Sequence, residues 1–124
     1  MRNMIRFPDI EKWMIDALAV LNVKVARTVP ETKPAKFVWL TSDGGPSNRF
    51  TALNRIRVNC FAGTYEEAMD LARQVDSVIC MSPDGIVVKA VRNTGPTQIP
   101  EQDSKFVRIY SYYELTVKGS DYSL

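Results

Sequence analysis

NRIRVNCFAGTYEEAMDLARQV, residues 54–75, changes its hydrophobic period at one point and so decides most of the architecture. Ile56, Val58 and Cys60 alternate with Arg55, Arg57 and Asn59, the pattern of an antiparallel strand with one core face and one half-solvated face. After Gly63, the pair Thr64 and Glu67 forms a capping box, in which hydroxyl and carboxylate satisfy each other's backbone amides at a helix start. Ala68, Leu71, Ala72, Val75, Val78 and Ile79 then make an apolar stripe at helical spacing, and Ser82, Pro83, Asp84 and Gly85 end it in a turn. A strand and a helix that each carry one apolar side bury those sides against each other.

Upstream, Ile10, Trp13, Met14, Ala17, Leu18 and Leu21 recur at the spacing of a second amphipathic helix, with Pro8, Asp9 and Glu11 suited to its first turn. Val23 to Thr28 alternates as a short strand, and Pro30 and Pro34 stiffen the connection that follows. Phe37 to Thr41 reads as a strand apolar on both faces, which points to burial under another element or contact with a neighbouring chain. The turn cluster Ser42 to Pro46, continued by polar sequence to Leu53, reads as a surface loop. Downstream, Ile86 to Arg92 and Phe106 to Lys118 are strands, joined by a long loop from Asn93 to Lys105 that contains Pro96 and Pro100. The expected fold is α+β, a mainly antiparallel sheet with two helices packed on one face. Residues 1–118 form its single domain and residues 119–124 a flexible C-terminal tail.

Composition narrows the function. The 124 residues suit one core, and 45% hydrophobic with 24% charged residues is ordinary for a globular domain. A formal net charge of +2, from 16 basic and 14 acidic residues interspersed along the chain, lacks the clustered basic face of a nucleic-acid binder. Asp9, Glu11, Lys12 and Asp16 break up any leader core near the start, so no secretory signal is expected. The longest apolar run, Ala17 to Leu21, is far short of the roughly 20 residues that cross a bilayer. No membrane partner is expected.

Catalytic chemistry has little to build on. The chain has no histidine, which removes the commonest general base and metal ligand and every Ser-His or Cys-His pair. Cys60 and Cys80 lack CxxC spacing and read as two reduced, unpaired structural thiols. Asp43 and Asp84, the first carboxylates to try for magnesium, lie in turn sequences where aspartate bonds its own backbone. Gly44-Gly45 lacks the surroundings of a phosphate cradle, and Glu66 and Glu67, adjacent on a helix, diverge too far to flank one glycosidic bond. No catalytic residue, cofactor or metal is assigned, and no enzyme is expected.

The most suggestive surface is the last strand. Val107, Ile109, Tyr113, Leu115 and Val117 share one face, leaving Arg108, Tyr110, Tyr112, Glu114, Thr116 and Lys118 on the other. Outward tyrosines serve as cross-strand fillers, as a base-stacking platform, or in protein interfaces, where tyrosine and arginine are enriched.

The order of segments FPDIEKWMIDAL, TVPETKPAKFVWL, SDGGPSN and NRIRVNCFAGTYEEAMDLARQV resembles the tail terminator, or tail completion, family of long-tailed bacteriophages over most of residues 7 to 118. The resemblance implies a virion structural protein, made in the host cytoplasm, that closes into a ring usually of six copies on the head-proximal end of the tail tube. Such a ring stops tube growth and offers the surface for head joining. Its implied partners are its own copies, the tail tube protein and a head-side connector, with DNA passing through the lumen unbound. The candidate subunit interface is Arg55, Arg57, Arg108, Tyr110 and Tyr112. The candidate axial contacts are Asp43, Asn48 and Arg49 in one loop and Thr97, Gln98 and Glu101 in the other. Another head-to-tail connector or minor tail protein would use the same domain type. A small nucleic-acid-binding module would use Tyr110, Tyr112, Arg55 and Arg57 as a stacking and phosphate surface.

Overall fold

The structure, a computed structural model, describes residues 3–6, 9–45, 51–84, 87–100 and 105–123. Its elements in order are β1 (Asn3–Arg6), α1 (Ile10–Leu18) running into a short 3-10 turn (Ala19–Leu21), β2 (Lys24–Ala26), β3 (Phe37–Gly44), β4 (Thr51–Ala62), α2 (Tyr65–Cys80), β5 (Val87–Ile99), β6 (Val107–Lys118) and β7 (Ser120–Ser123). Five strands form the main sheet in the order β2-β3-β4-β6-β5, antiparallel except where β2 runs parallel to β3. This is an α+β fold.

Both helix starts follow from local chemistry. The Asp9 carboxylate accepts from the Lys12 amide at 3.1 Å, and the Thr64 hydroxyl accepts from the Glu67 amide at 3.2 Å, so each satisfies one amide that a helix start leaves open. The Asp9 carboxyl is held below its ordinary pKa first by that Lys12 amide; burial opposes the lowering, and Arg27 adds to it. The helices bury Ile10, Met14 and Leu18 from α1 and Ala68, Leu71, Ala72, Val75 and Ile79 from α2. These pack on Val38, Leu40, Ile56, Val58, Cys60, Ile109, Tyr113, Leu115 and Val117, one face of the sheet. The expected packing of both helices on one face holds, because each apolar stripe finds the alternate residues of the central strands.

The elements outside the core depart from the sequence reading. The strand expected over Val23 to Thr28 is only Lys24–Ala26, since Trp39 Nε1 donates to the Arg27 carbonyl at 3.1 Å and ends the ladder there. The loop expected from Ser42 to Leu53 is shorter, because β3 continues to Gly44 through a bulge and β4 begins at Thr51 opposite Lys118. Asp43 therefore stands in a strand. The loop expected from Asn93 to Lys105 is corrected more strongly: β5 runs on to Ile99, with register shifts between Val87 and Lys89, between Arg92 and Thr94, and between Thr94 and Thr97. Gly95 makes this possible, since its φ of +98° suits glycine and a Cβ would lie 2.5 Å from the Tyr110 carbonyl oxygen. Ser120–Ser123, within the stretch read as a tail, pairs antiparallel with β1 as a second small sheet.

Candidate functional site

Strand parity puts the arginines and tyrosines of β4 and β6 on the sheet face that the helices leave uncovered, and register brings them together. Arg55 stands opposite Glu114, Arg57 opposite Tyr112, Asn59 opposite Tyr110 and Phe61 opposite Arg108. Trp39 of β3 stands opposite Asn59, and Thr97 of β5 opposite Tyr110. All five candidate interface residues thus lie on one face of two neighbouring strands. Thr97, expected in a separate loop, lies in the strand beside them, while Gln98 pairs with Ile109 on the next register position. Asn48, Arg49 and Glu101 lie outside the described residues.

Arg57 is the centre of this face. Its guanidinium carbon lies 5.5 Å from the centroid of the Tyr110 ring and 5.2 Å from that of Tyr112, within cation–π range of both. Its Nε is buried without a hydrogen-bond partner among the described residues. Arg55 Nε lies 3.7 Å from Glu114 Oε1, which also accepts from Asn93 Nδ2 at 2.9 Å. Arg108 donates to Asn59 Oδ1 through Nε at 3.0 Å and Nη2 at 2.8 Å, and Asn59 Nδ2 in turn donates to the Trp39 carbonyl at 3.1 Å. Asn59, expected to be half-solvated, is fully buried. Its two polar atoms are satisfied within the face, which is what permits that burial.

Next to this network sits an aromatic group that the sequence reading did not single out. Phe37 stacks on Phe61 at 4.5 Å with the rings 7° from parallel, and Phe106 meets Phe37 edge-on at 5.3 Å. With Val29, Lys33, Trp39 and Arg108 they line a cleft of about 210 Å³. That volume is below the roughly 300–1,000 Å³ of pockets for drug-sized ligands. The doubly apolar reading of Phe37 to Thr41 is answered here, since Val38 and Leu40 enter the core and Phe37 enters this cluster.

The rest of the polar chemistry is structural. Tyr113, on the core face, donates to Asp76 Oδ1 at 2.9 Å, and Arg92 Nη1 lies 3.3 Å from Asp76 Oδ2. Burial raises the Tyr113 hydroxyl above its ordinary pKa, with Asp76 adding to it, so it remains a donor. The Asp84 carboxylate accepts from the Val87 amide at 2.9 Å and from Trp13 Nε1 at 3.2 Å, the turn role its sequence context indicates. Cys60 and Cys80 are both free; burial pushes the Cys60 thiol up to about 12 and also raises Cys80, where the Asp76 charge contributes. Neither is a thiolate at neutral pH. Among the described residues no three acidic or thiol side chains converge as metal ligands. The uncovered face, with its unpartnered arginine donor and flanking aromatics, is suited to binding a macromolecular surface.

No known protein family matches the sequence, and none of the curated proteins does. Among solved structures, a chain from the virion of a native gene transfer agent particle is similar with a TM-score of 0.64, over 88% of this chain and 92% of that one. The two sequences are 13% identical, so what they share is the fold.

Proposed function

We propose that this protein is a structural subunit of a phage-like virion, and within that class the tail terminator: a ring on the head-proximal end of the tail tube that stops tube growth and receives the head. The observation that carries the coarser part is the fold shared, nearly end to end, with a chain of the gene transfer agent virion. The order of segments from the opening helix to the capped second helix supports the finer part. The protein acts by assembly rather than catalysis. Its partners are copies of itself, six in the usual ring of the resembling family, the tube protein and a head-side connector. A net charge of +2 suits a lumen that passes DNA without holding it.

The experiment is deletion of the gene from the phage or phage-like element that encodes it, followed by electron microscopy of the lysate. Tails of uncontrolled length that fail to join heads are expected, with rescue by the gene in trans. Tails of normal, uniform length that still join heads would overturn the reading.

A further inference from the structure

The uncovered sheet face has a cation that no described residue neutralises. Arg55 has Glu114, whereas among the described residues Arg57 has no ion pair, only two tyrosine rings and a buried Nε lacking an acceptor. A carboxylate arriving from outside would neutralise this charge between its two flanking rings. The opposite side of the molecule has the complement. Glu66, Glu67 and Asp70, in the first turns of α2, are exposed and none is ion-paired among the described residues; Asp70 accepts only from Gln74 Nε2, at 2.9 Å. Because α2 packs on the core face of the sheet, these carboxylates and Arg57 lie on opposite sides of the sheet.

We infer that the arginine–tyrosine face of one copy docks on the acidic start of α2 of the next copy. Charge complementarity identifies the occupant as a second copy of this chain. Two different patches on opposite sides of one subunit make a heterologous contact, which propagates from copy to copy and closes when the rotation per step allows. This rests on the ring proposed above and names the surfaces that would build it. The aromatic cleft beside Arg108 borders the contact and supplies apolar area around the charges.

The test is charge reversal followed by mixing, read by sedimentation of the full chain over a concentration series. Wild type is expected to associate. Arg57→Glu alone, and Glu66→Arg with Glu67→Arg alone, each place like charges across the contact and are expected to weaken association by about a hundredfold or more. Each is checked for native secondary structure by circular dichroism. Mixed in equal amounts, the two variants restore opposite charges at every contact and are expected to co-assemble in alternation. A wild type that remains monomeric throughout, variants that associate as wild type does, or folded variants that fail to co-assemble would each overturn the assignment. So would salt-dependent binding of a single-stranded oligonucleotide that Arg57→Glu abolishes in a chain that does not self-associate. Rings that persist in Arg57→Glu would refute these surfaces and leave the terminator reading standing, whereas normal tails after gene deletion would refute that reading whatever the surfaces do.

Discussion

The two faces of the main sheet are built on the same central strands and carry opposite contents. Toward the helices, β4 and β6 present Ile56, Val58, Cys60, Ile109, Leu115 and Val117, buried and aliphatic or nearly so, with Tyr113 the one large polar-tipped side chain. Away from them the same strands present Arg55, Arg57, Asn59, Arg108, Tyr110 and Tyr112. Folding accounts for the first set, because area removed from water stabilises by about 25 cal/mol per Å² and those side chains are wholly covered. It accounts poorly for the second. Half-covered arginines between tyrosines add little to an isolated domain, which agrees with the contact proposed above.

The sharpest way to test that division is to empty the covered side. Leu71→Ala on α2 removes a side chain that is 2% exposed in the midst of the core, and the expected loss is about 2–5 kcal/mol by urea denaturation. A loss below about 1 kcal/mol would mean that the helix layer contributes far less than its burial implies. Next in size is Gly95→Ala, at the bulge of β5. The positive φ and the approach of 2.5 Å to the Tyr110 carbonyl oxygen and 2.9 Å to Ser111 Cα leave no room for a methyl group. Strain of about 1–3 kcal/mol is expected, with faster amide exchange along β5.

Much of this division was legible in the sequence, and the reason is parity. Alternation over residues 54–60 and 107–117 assigned each side chain to its face, because the period of a strand is fixed by backbone geometry. What escaped depended on contacts between distant segments. Asn59 is buried by Arg108, 49 residues away, and Asn59 Nδ2 bonds the Trp39 carbonyl across 20 residues. Thr97 and Gln98 stand in a stretch whose Pro96 and Pro100 look like punctuation, yet a strand can absorb such a residue through bulges when a long partner such as β6 holds both flanks. The grouping of Phe37, Phe61 and Phe106 had a faint signal in aromatics at the ends of three strands, but only register joins them.

Two smaller changes probe the polar exceptions on the covered side. Tyr113→Phe removes the hydroxyl that donates to Asp76 while keeping the ring, and a loss of about 1.5 kcal/mol in thermal unfolding is expected for a bond to a charged acceptor. No loss would show that Arg92 and the Cys80 thiol satisfy Asp76 without the hydroxyl. Asp9→Ala removes the cap of α1, with an expected cost of about 1 kcal/mol at neutral pH. Because the folded-state pKa of Asp9 is depressed, its contribution is fully present above the ordinary carboxyl value of 3.8 and is lost as pH falls through the depressed value. The stability difference between wild type and Asp9→Ala is therefore expected to shrink below about pH 4. A difference that stayed constant through that range would remove the carboxylate charge from the explanation.

The smallest effect on stability is expected where the assembly effect is expected to be largest. Arg57→Met keeps an unbranched stem between Tyr110 and Tyr112 and substitutes a sulfur that also contacts aromatic rings favourably. It gives up two cation–π contacts worth roughly 0.5–1 kcal/mol each at such a surface. It also removes the buried Nε that has no acceptor, a liability of roughly 1–3 kcal/mol. The two nearly offset, so the isolated chain is expected to unfold within about 0.5 kcal/mol of wild type, in line with surface substitutions generally. Self-association, measured on the same preparation, is expected to weaken because the incoming carboxylate has lost its cation. If the monomer instead lost more than about 1.5 kcal/mol, Arg57 would be holding the sheet together, and the contrast between a face made for folding and a face made for a partner would fail at its centre.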